Sequence, residues 1–565
     1  MKNLVFACSV MALCIGIASS KAQTVNWAKS VGGGQYDHND FIGIDNAGNV
    51  YTVGTFKGQV DFDPGTGTFN LNDANGNIYT VLYKLNASGE FVWANKLATG
   101  CRGMTVDSDG NLYLIGSYEA STDIDPSSGS FFLPNYGGCV YKLTSDCNLV
   151  WAHEIDPYSS STLDLRALAI DTQGNVYVTG GFEGTIDVGL GTGTNTLSNE
   201  NDFDPSDKDI FVAKYSTTGS YVWAAQFSGT NVNRGQGNSI AVDPSGNIYT
   251  LGVFISNVDF DPSNGVANLN AGPDVKYDVF VSKLDNSGNF LWAKSIDGAS
   301  PNDMFAEYIS TDASGNIYFA GMFSAVVDFD PNGGVFSLNA TIGNDPFLCK
   351  LDPNGNFVWA KQLQSTESHP YGLVGAYKVD SDGNFYISSD FFDDLTLDPT
   401  RTIINSDGPV YTCKFNSDGN LLWVDQYGNG GNTDVYSITV DQSGNLYAGG
   451  LFYSTTDFAP GPSVVNLTSN FNADAFILKR GQGIVGVVES PANSFKIYPN
   501  PAFDVLNIEA MGDYNVKIYT MQGQLIQTHT ANYPTRLDVS GLVQGVYMAA
   551  IENGTGVSRM SFIKQ

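Results

Sequence analysis

At 565 residues and 60.5 kDa, with 42% hydrophobic and 12% aromatic residues, the chain can bury more than one core and is no disordered polymer. Only 15% of residues are charged while 63 are Gly and 29 are Tyr, a composition of short strands and tight turns rather than of long surface helices. A net charge of −31 repels phosphate backbones, which excludes nucleic acid as a partner and leaves cations, cationic surfaces and neutral glycans.

Residues 1–22 read as a signal peptide. Lys2 supplies the basic start, Leu4 to Ile17 the apolar core, and Ser20-Lys21-Ala22 a small-x-small cleavage site. That core is too short to cross a bilayer, and no later stretch reaches 18 apolar residues, so no transmembrane segment is expected. Five cysteines follow, Cys101, Cys139, Cys147, Cys349 and Cys413. An odd number leaves at least one unpaired in a monomer, so no disulfide framework is expected to hold the fold. Cys349 and Cys413 stand just before the lysine of successive repeats and read as small core residues.

Residues 23–483 are one unit written seven times. All seven tryptophans share one motif, at 27, 93, 151, 223, 292, 359 and 423, and a spacing of this length marks a repeat architecture. Each unit opens with an apolar strand ending in Asp-x-x-Gly-Asn-x-Tyr, or close to it. Its Asp stands at 45, 107, 171, 243, 312, 380 and 441. Asp opens the turn and Gly takes the positive φ that a tight hairpin needs. The second strand begins at the Tyr and alternates, as in Val-Tyr-Thr-Val-Gly-Thr-Phe of the first copy. The third carries a Lys at 84, 142, 214, 283, 350, 414 or 479, and in six copies the Trp of the fourth strand follows nine residues later. Lys479 has no such Trp after it, whereas Trp27 precedes the first copy. The spacing therefore predicts a seven-bladed, all-β propeller of four-stranded antiparallel blades, with the N-terminal strand closing the last blade. The words Asp243-Pro-Ser-Gly-Asn-Ile-Tyr, Val258-Asp-Phe-Asp-Pro and Leu291-Trp-Ala-Lys resemble the bacterial β-propeller repeats of the SBBP type, a likeness that implies architecture and no particular activity.

Residues 484–494, which include Pro491, read as a linker, and residues 495–565 as a separate small β-sandwich. The tail is nearly neutral, with five basic and six acidic side chains over 484–565, so the negative charge belongs to the repeats. Its words Tyr498-Pro499-Asn500-Pro501, Met521-Gln-Gly523-Gln-Leu, Gly541 within Leu537-Asp-Val-Ser-Gly-Leu, Gly545-Val-Tyr547 and Lys564 resemble the type A C-terminal sorting domain of the type IX secretion system. That resemblance implies recognition by the type IX machinery and export across the outer membrane of a Bacteroidota-type cell, to the surface or the medium.

No catalytic set converges in the sequence. The four histidines, 38, 153, 369 and 529, have no metal-ligand spacing, and there is no nucleophile elbow, phosphate loop or Cys-x-x-Cys pair. The Lys-Leu-Asp-x-x-Gly-x-x-x-Trp run is similar to the docking motif of pyrroloquinoline quinone dehydrogenases, but those have eight blades and an adjacent cysteine pair that is absent here. One recurring acidic word stands out after the second strand, with Asp61 and Asp63, Asp123 and Asp125, Asp259 and Asp261, and Asp328 and Asp330 as its full copies. Two carboxylates on one side of an extended chain suit part of a Ca²⁺ shell, yet one pair falls short of the roughly six to eight oxygens needed, so turn formation is the preferred reading. The tryptophans are expected to pack between blades and the seven lysines to pair with the turn aspartates. The function expected is a secreted or cell-surface, non-catalytic protein for binding, adhesion or structure, its ligand a glycan or a surface protein. The alternative is an extracellular carbohydrate-active enzyme, a hydrolase or lyase, with its site at the propeller mouth in the irregular stretches Gly32–Asp40 or Asn199–Asp209.

Overall fold

The computed structural model describes residues 24–481 and 496–565 except for short stretches, among them 200–206, 230–234, 297–303 and 366–374. The signal peptide, the linker, Gly523 and most of the Asn199–Asp209 stretch lie outside the described residues. Every regular element among those described is a β-strand, and none is a helix long and apolar enough to cross a membrane.

One carboxylate writes each turn word. Asp243 Oδ1 accepts the backbone N–H of Ser245 and Asn247 at 2.8 and 2.9 Å, while its Oδ2 accepts the Asn247 amide at 2.7 Å and the Tyr249 hydroxyl at 3.0 Å. Gly246 sits at φ +81°, where a Cβ is strained. The same tyrosine-to-aspartate bond recurs in the other six copies.

The hairpins build seven antiparallel blades of four strands, three of them extended to six-stranded sheets by a further hairpin, with first strands His38–Ile44, Gly100–Val106, Thr162–Ile170, Gln236–Val242, Met304–Thr311, Ala376–Val379 and Thr433–Val440. Each first strand lies against the next in that order, and the seventh lies against the first, which closes a ring. The fourth strand of the last sheet is Thr24–Gly33, running antiparallel to Asp474–Gly481 with Trp27 opposite Lys479. Trp292 stands opposite Lys283 in the same way, so the N-terminal strand repeats the register of an internal blade. The seven-blade count rests on these sheets and their order.

Neighbouring blades are latched by tryptophan and lysine together. Trp292 Nε1 and Lys283 Nζ both donate to Pro353 O of the next blade, at 3.4 and 2.9 Å. Trp93 with Lys84 does the same at Ser145 O, Trp223 with Lys214 at Asn286 O, Trp359 with Lys350 at Ser417 O, and Trp27 with Lys479 at Ala87 O across the closure. All seven ammonium groups sit over the face of the turn tyrosine, 4.6 to 5.1 Å from the ring centre. This corrects the expected lysine–aspartate pairing. The tyrosine ring stands between the two, and among the described residues only Lys414 and Asp380 come within ion-pair range, at 3.7 Å. Burial lowers the lysine pKa in Lys214, Lys283 and Lys350, opposed by the nearby aspartates.

Residues 483–565 form a separate compact unit. A three-stranded sheet (Lys496–Tyr498, Val505–Glu509, Thr535–Asp538) and a four-stranded sheet (Asp513–Thr520, Leu525–Asn532, Gly545–Asn553, Gly556–Lys564) enclose one apolar core. Its sorting words converge: Asn500 Oδ1 accepts the Ile563 N–H at 2.9 Å, Gly545 pairs with Lys564, and Tyr547 stacks on Phe562.

Candidate functional site

The acidic words are straps. Each folds into a two-stranded hairpin, with Val60 opposite Leu71 and Val258 opposite Leu269, which explains the apolar leucine ten residues past the first Asp. Several of these hairpins also pair with the outer strand of the preceding blade, Asp61 opposite Gly32 and Asp259 opposite Ser228. Phe62, Phe260 and Phe329 are buried. The first aspartate ties the hairpin: Asp259 Oδ1 accepts the N–H of Asp261 at 3.0 Å and of Ala267 at 2.8 Å, and Asp61, Asp123 and Asp328 repeat the pattern. The bond from Phe131 N–H, the first cause, lowers the Asp123 pKa. The second aspartates, Asp63, Asp125, Asp261 and Asp330, each cap the N–H two residues on. A glycine four residues past each lies so close that a Cβ would meet the carboxylate at 2.1 to 2.3 Å. Among the described residues no group of three His, Cys, Asp or Glu side chains is placed to hold a metal. Asp259→Ala is accordingly expected to cost about 1–3 kcal/mol with or without Ca²⁺. Thermal melts of full chain and variant check this, and a midpoint raised by Ca²⁺ in the native chain alone would assign the pair to a cation instead.

The irregular feature lies on the inner strands. Six of the seven carry a one-residue bulge at the same place, and the extra residue is Asp40, Arg102, Arg166, Asn238, Glu307 or Tyr436. A bulge re-aims one side chain without breaking the ladder. The residue before it is buried in five of them (Asn39, Leu165, Gly237, Ala306, Val435), whereas the bulged residue is exposed in four copies and half-buried at Asp40 and Asn238. Turn, latch and strap positions recur from copy to copy, but this position changes chemistry from blade to blade.

On blades three to five these residues line a cleft of about 780 Å³, within the size range of small-molecule sites. Beside it Asp164 Oδ2 accepts hydrogen bonds from Arg166 Nη2 and Gln236 Nε2, both at 2.7 Å, with Lys208 Nζ in ion-pair range at 3.8 Å. Despite burial, those donors hold the Asp164 pKa below its ordinary value. Tyr277 and Phe305, which also line the cleft, lie 6.4 Å apart at a 44° tilt, with Phe305 41% exposed. Surrounding protein raises the Glu307 pKa and Arg166 opposes the rise. Lys208 belongs to the irregular stretch Asn199–Asp209 singled out in the sequence. Arg166, Gln236, Tyr277, Phe305 and Glu307 were missed there.

The blade-seven to blade-one side of the same rim is acidic, and it contains the other irregular stretch. Asp37 accepts the N–H of Gly33 and Lys57 at 2.8 and 3.1 Å, and its own N–H donates to Ala473 O. Asp474 Oδ1 is buried with no hydrogen-bond partner. Burial pushes the Asp37 carboxyl up to about 6 and the Asp474 carboxyl, with Asp37 nearby, up to about 7. Unfolded carboxyls release protons near pH 4, so the folded pair holds protons that the unfolded chain has lost, and stability falls as pH rises from about 4 to 7. The melting midpoint is expected to be lower at pH 8 than at pH 5, with most of the difference removed by Asp474→Asn. A midpoint independent of pH over that window contradicts the assignment.

Residues 496–565 match the model of the secretion system C-terminal sorting domain, and residues 222–261 match the β-propeller repeat of the SBBP type. The sorting domain marks the chain for the type IX machinery and for the outer cell surface or secretion. An uncharacterized WD repeat-containing protein, L264, of Acanthamoeba polyphaga mimivirus is 23% identical over 528 residues, covering 77% of this chain and 36% of its own length. This chain thus spans about a third of that relative. Two solved structures are also similar, each 12% identical. A Bacteroides caccae protein of unknown function covers 61% of this chain and 89% of its own at a TM-score of 0.29. A Dyadobacter fermentans protein of unknown function covers 81% and 99% at 0.30.

Proposed function

We propose that this chain, an exported protein with a β-propeller repeat and a secretion-system C-terminal sorting domain, is a non-catalytic binding protein whose ligand seats in the cleft of blades three to five. The observation that carries the reading is the bulge series. Six equivalent positions, exposed or half-buried, differ in charge and shape on a scaffold whose structural positions repeat, and three of them, Arg166, Asn238 and Glu307, line one cleft. The exposed Phe305 beside Tyr277 offers an aromatic face, and the donors on Asp164 offer orientation.

A carbohydrate-active enzyme needs an acid and a second carboxylate flanking the bond to be cut. Beside the cleft Asp164 is tied to Arg166, Gln236 and Lys208, which leaves Glu307, among the described residues, as the one carboxylate lining the site. Binding without turnover fits that arrangement.

The full chain and its Phe305→Ala variant are to be compared on an array of neutral, carboxylated and sulfated glycans and of purified surface proteins. Binding that falls about tenfold in the variant, with no new reducing ends or unsaturated products, is the expected result. Binding indifferent to the cleft, or release of products, overturns the reading.

A further inference from the structure

The geometry points to an acidic saccharide, a pyranose bearing a carboxylate or sulfate, as the ligand of this cleft. The inference rests on the binding reading above and deepens it. Cations are scarce in this chain, 27 against 58 acidic residues, and the seven repeat lysines are committed to the faces of the turn tyrosines. Yet Arg166 and Lys208 are brought to a single carboxylate oxygen, that of Asp164, where Gln236 also donates.

One carboxylate shared by two cations and an amide leaves N–H donors over on that side of the cleft, while Glu307 brings the charges of the described groups there to a balance. Arg166 keeps most of its guanidinium fork free, since Nη2 alone contacts Asp164 and, at 3.5 Å, Gln236. A planar fork held in place is suited to a carboxylate or sulfate. The side chains of Arg166 and Lys208 remain 47% and 32% exposed, so the fork is reachable. In the same cleft, Phe305 beside Tyr277 provides an aromatic face for the apolar side of a sugar ring.

Glu307 is the group that makes the inference testable beyond loss of binding. It lines the same cleft and is electrostatically coupled to Arg166, so it disfavours an anion there. Among the described residues the other charged groups lining the cleft are Arg166 and Lys208, both in ion-pair range of Asp164. Removing the Glu307 charge should therefore strengthen the binding of an acidic sugar and leave a neutral sugar unaffected.

The experiment is calorimetric titration of the full chain with tetragalacturonate, a sulfated carrageenan tetrasaccharide and neutral laminaritetraose. At least one acidic probe is expected to bind, about tenfold more weakly in Arg166→Met or Lys208→Met and about threefold more tightly in Glu307→Gln. Whichever acidic probe does so identifies the anion as carboxylate or sulfate. A gain in affinity cannot arise from a misfolded variant. Laminaritetraose bound as tightly as the acidic probes, with the same loss in Phe305→Ala, overturns the acidic inference and leaves the cleft as a binding site. If none of the three binds, the saccharide inference falls, while the binding reading is judged separately by the Phe305→Ala comparison against surface proteins.

Discussion

A chain beginning at Gly34 is expected not to fold cooperatively, although it keeps every complete copy of the repeat. Residues 24–33 are the fourth strand of the last blade, paired with Asp474–Gly481 through seven register partners. Val31 is buried in the core, and Trp27 and Lys479 share Ala87 O of the first blade. With about 1 kcal/mol for each net hydrogen bond and about 2 kcal/mol for the buried valine, the strand contributes at least about 5 kcal/mol. That is comparable to the whole stability of a typical domain. Its loss also bares the edge of Asp474–Gly481, which invites aggregation. Circular dichroism melts and gel filtration test this, together with rescue by a peptide of residues 24–33. A truncated chain that melts within a few degrees of the full one would contradict ring closure by this strand.

The second large effect is expected at Trp151. Its indole is buried, stacks on His153 with ring centres 5.3 Å apart, and donates to Thr217 O of the next blade at 3.2 Å. It also lies on Gly219, where a Cβ would stand 2.6 Å from the ring. That glycine thus serves both the turn, at φ +81°, and the passage of the indole. Trp151→Ala should cost about 3–5 kcal/mol in urea unfolding, whereas Trp151→Phe, which keeps an aromatic ring and loses the hydrogen bond, should cost about 1–2 kcal/mol. A cost near zero for the alanine variant would remove the indole from the latch between blades two and three.

What was legible in the sequence is what one side chain enforces over a few residues. Asp243 alone accounts for Ser245, Asn247 and Tyr249 through its own four contacts, so the turn word repeats wherever the turn does. Ring closure was legible because Trp27 and Lys479 are separated halves of one pair. The lysine partners were misread because opposite charges suggest an ion pair, whereas the tyrosine six residues past each Asp intervenes and offers its face. In the second blade, Cys147 takes the turn position held by glycine elsewhere, at φ 64°, which a search for glycines passes over.

The cleft was hidden for a different reason. A bulge adds one residue to a strand, and no local period marks it. A signal was present nonetheless. Five residues before each turn aspartate the copies read Asp40, Arg102, Arg166, Asn238, Glu307, Gly375 and Tyr436, a run with no common chemistry inside an otherwise repetitive unit. Comparing copies for where they differ, rather than where they agree, finds the inner ends of the blades.

The most direct test of the central claim is hydrogen exchange of the full chain with and without a ligand selected on the array. Slowed exchange is expected in the inner strands 162–170, 236–242 and 304–311, which meet at the cleft. Protection confined to the acidic straps, or to the blade-seven to blade-one side of the rim, would place the binding site elsewhere and contradict the account.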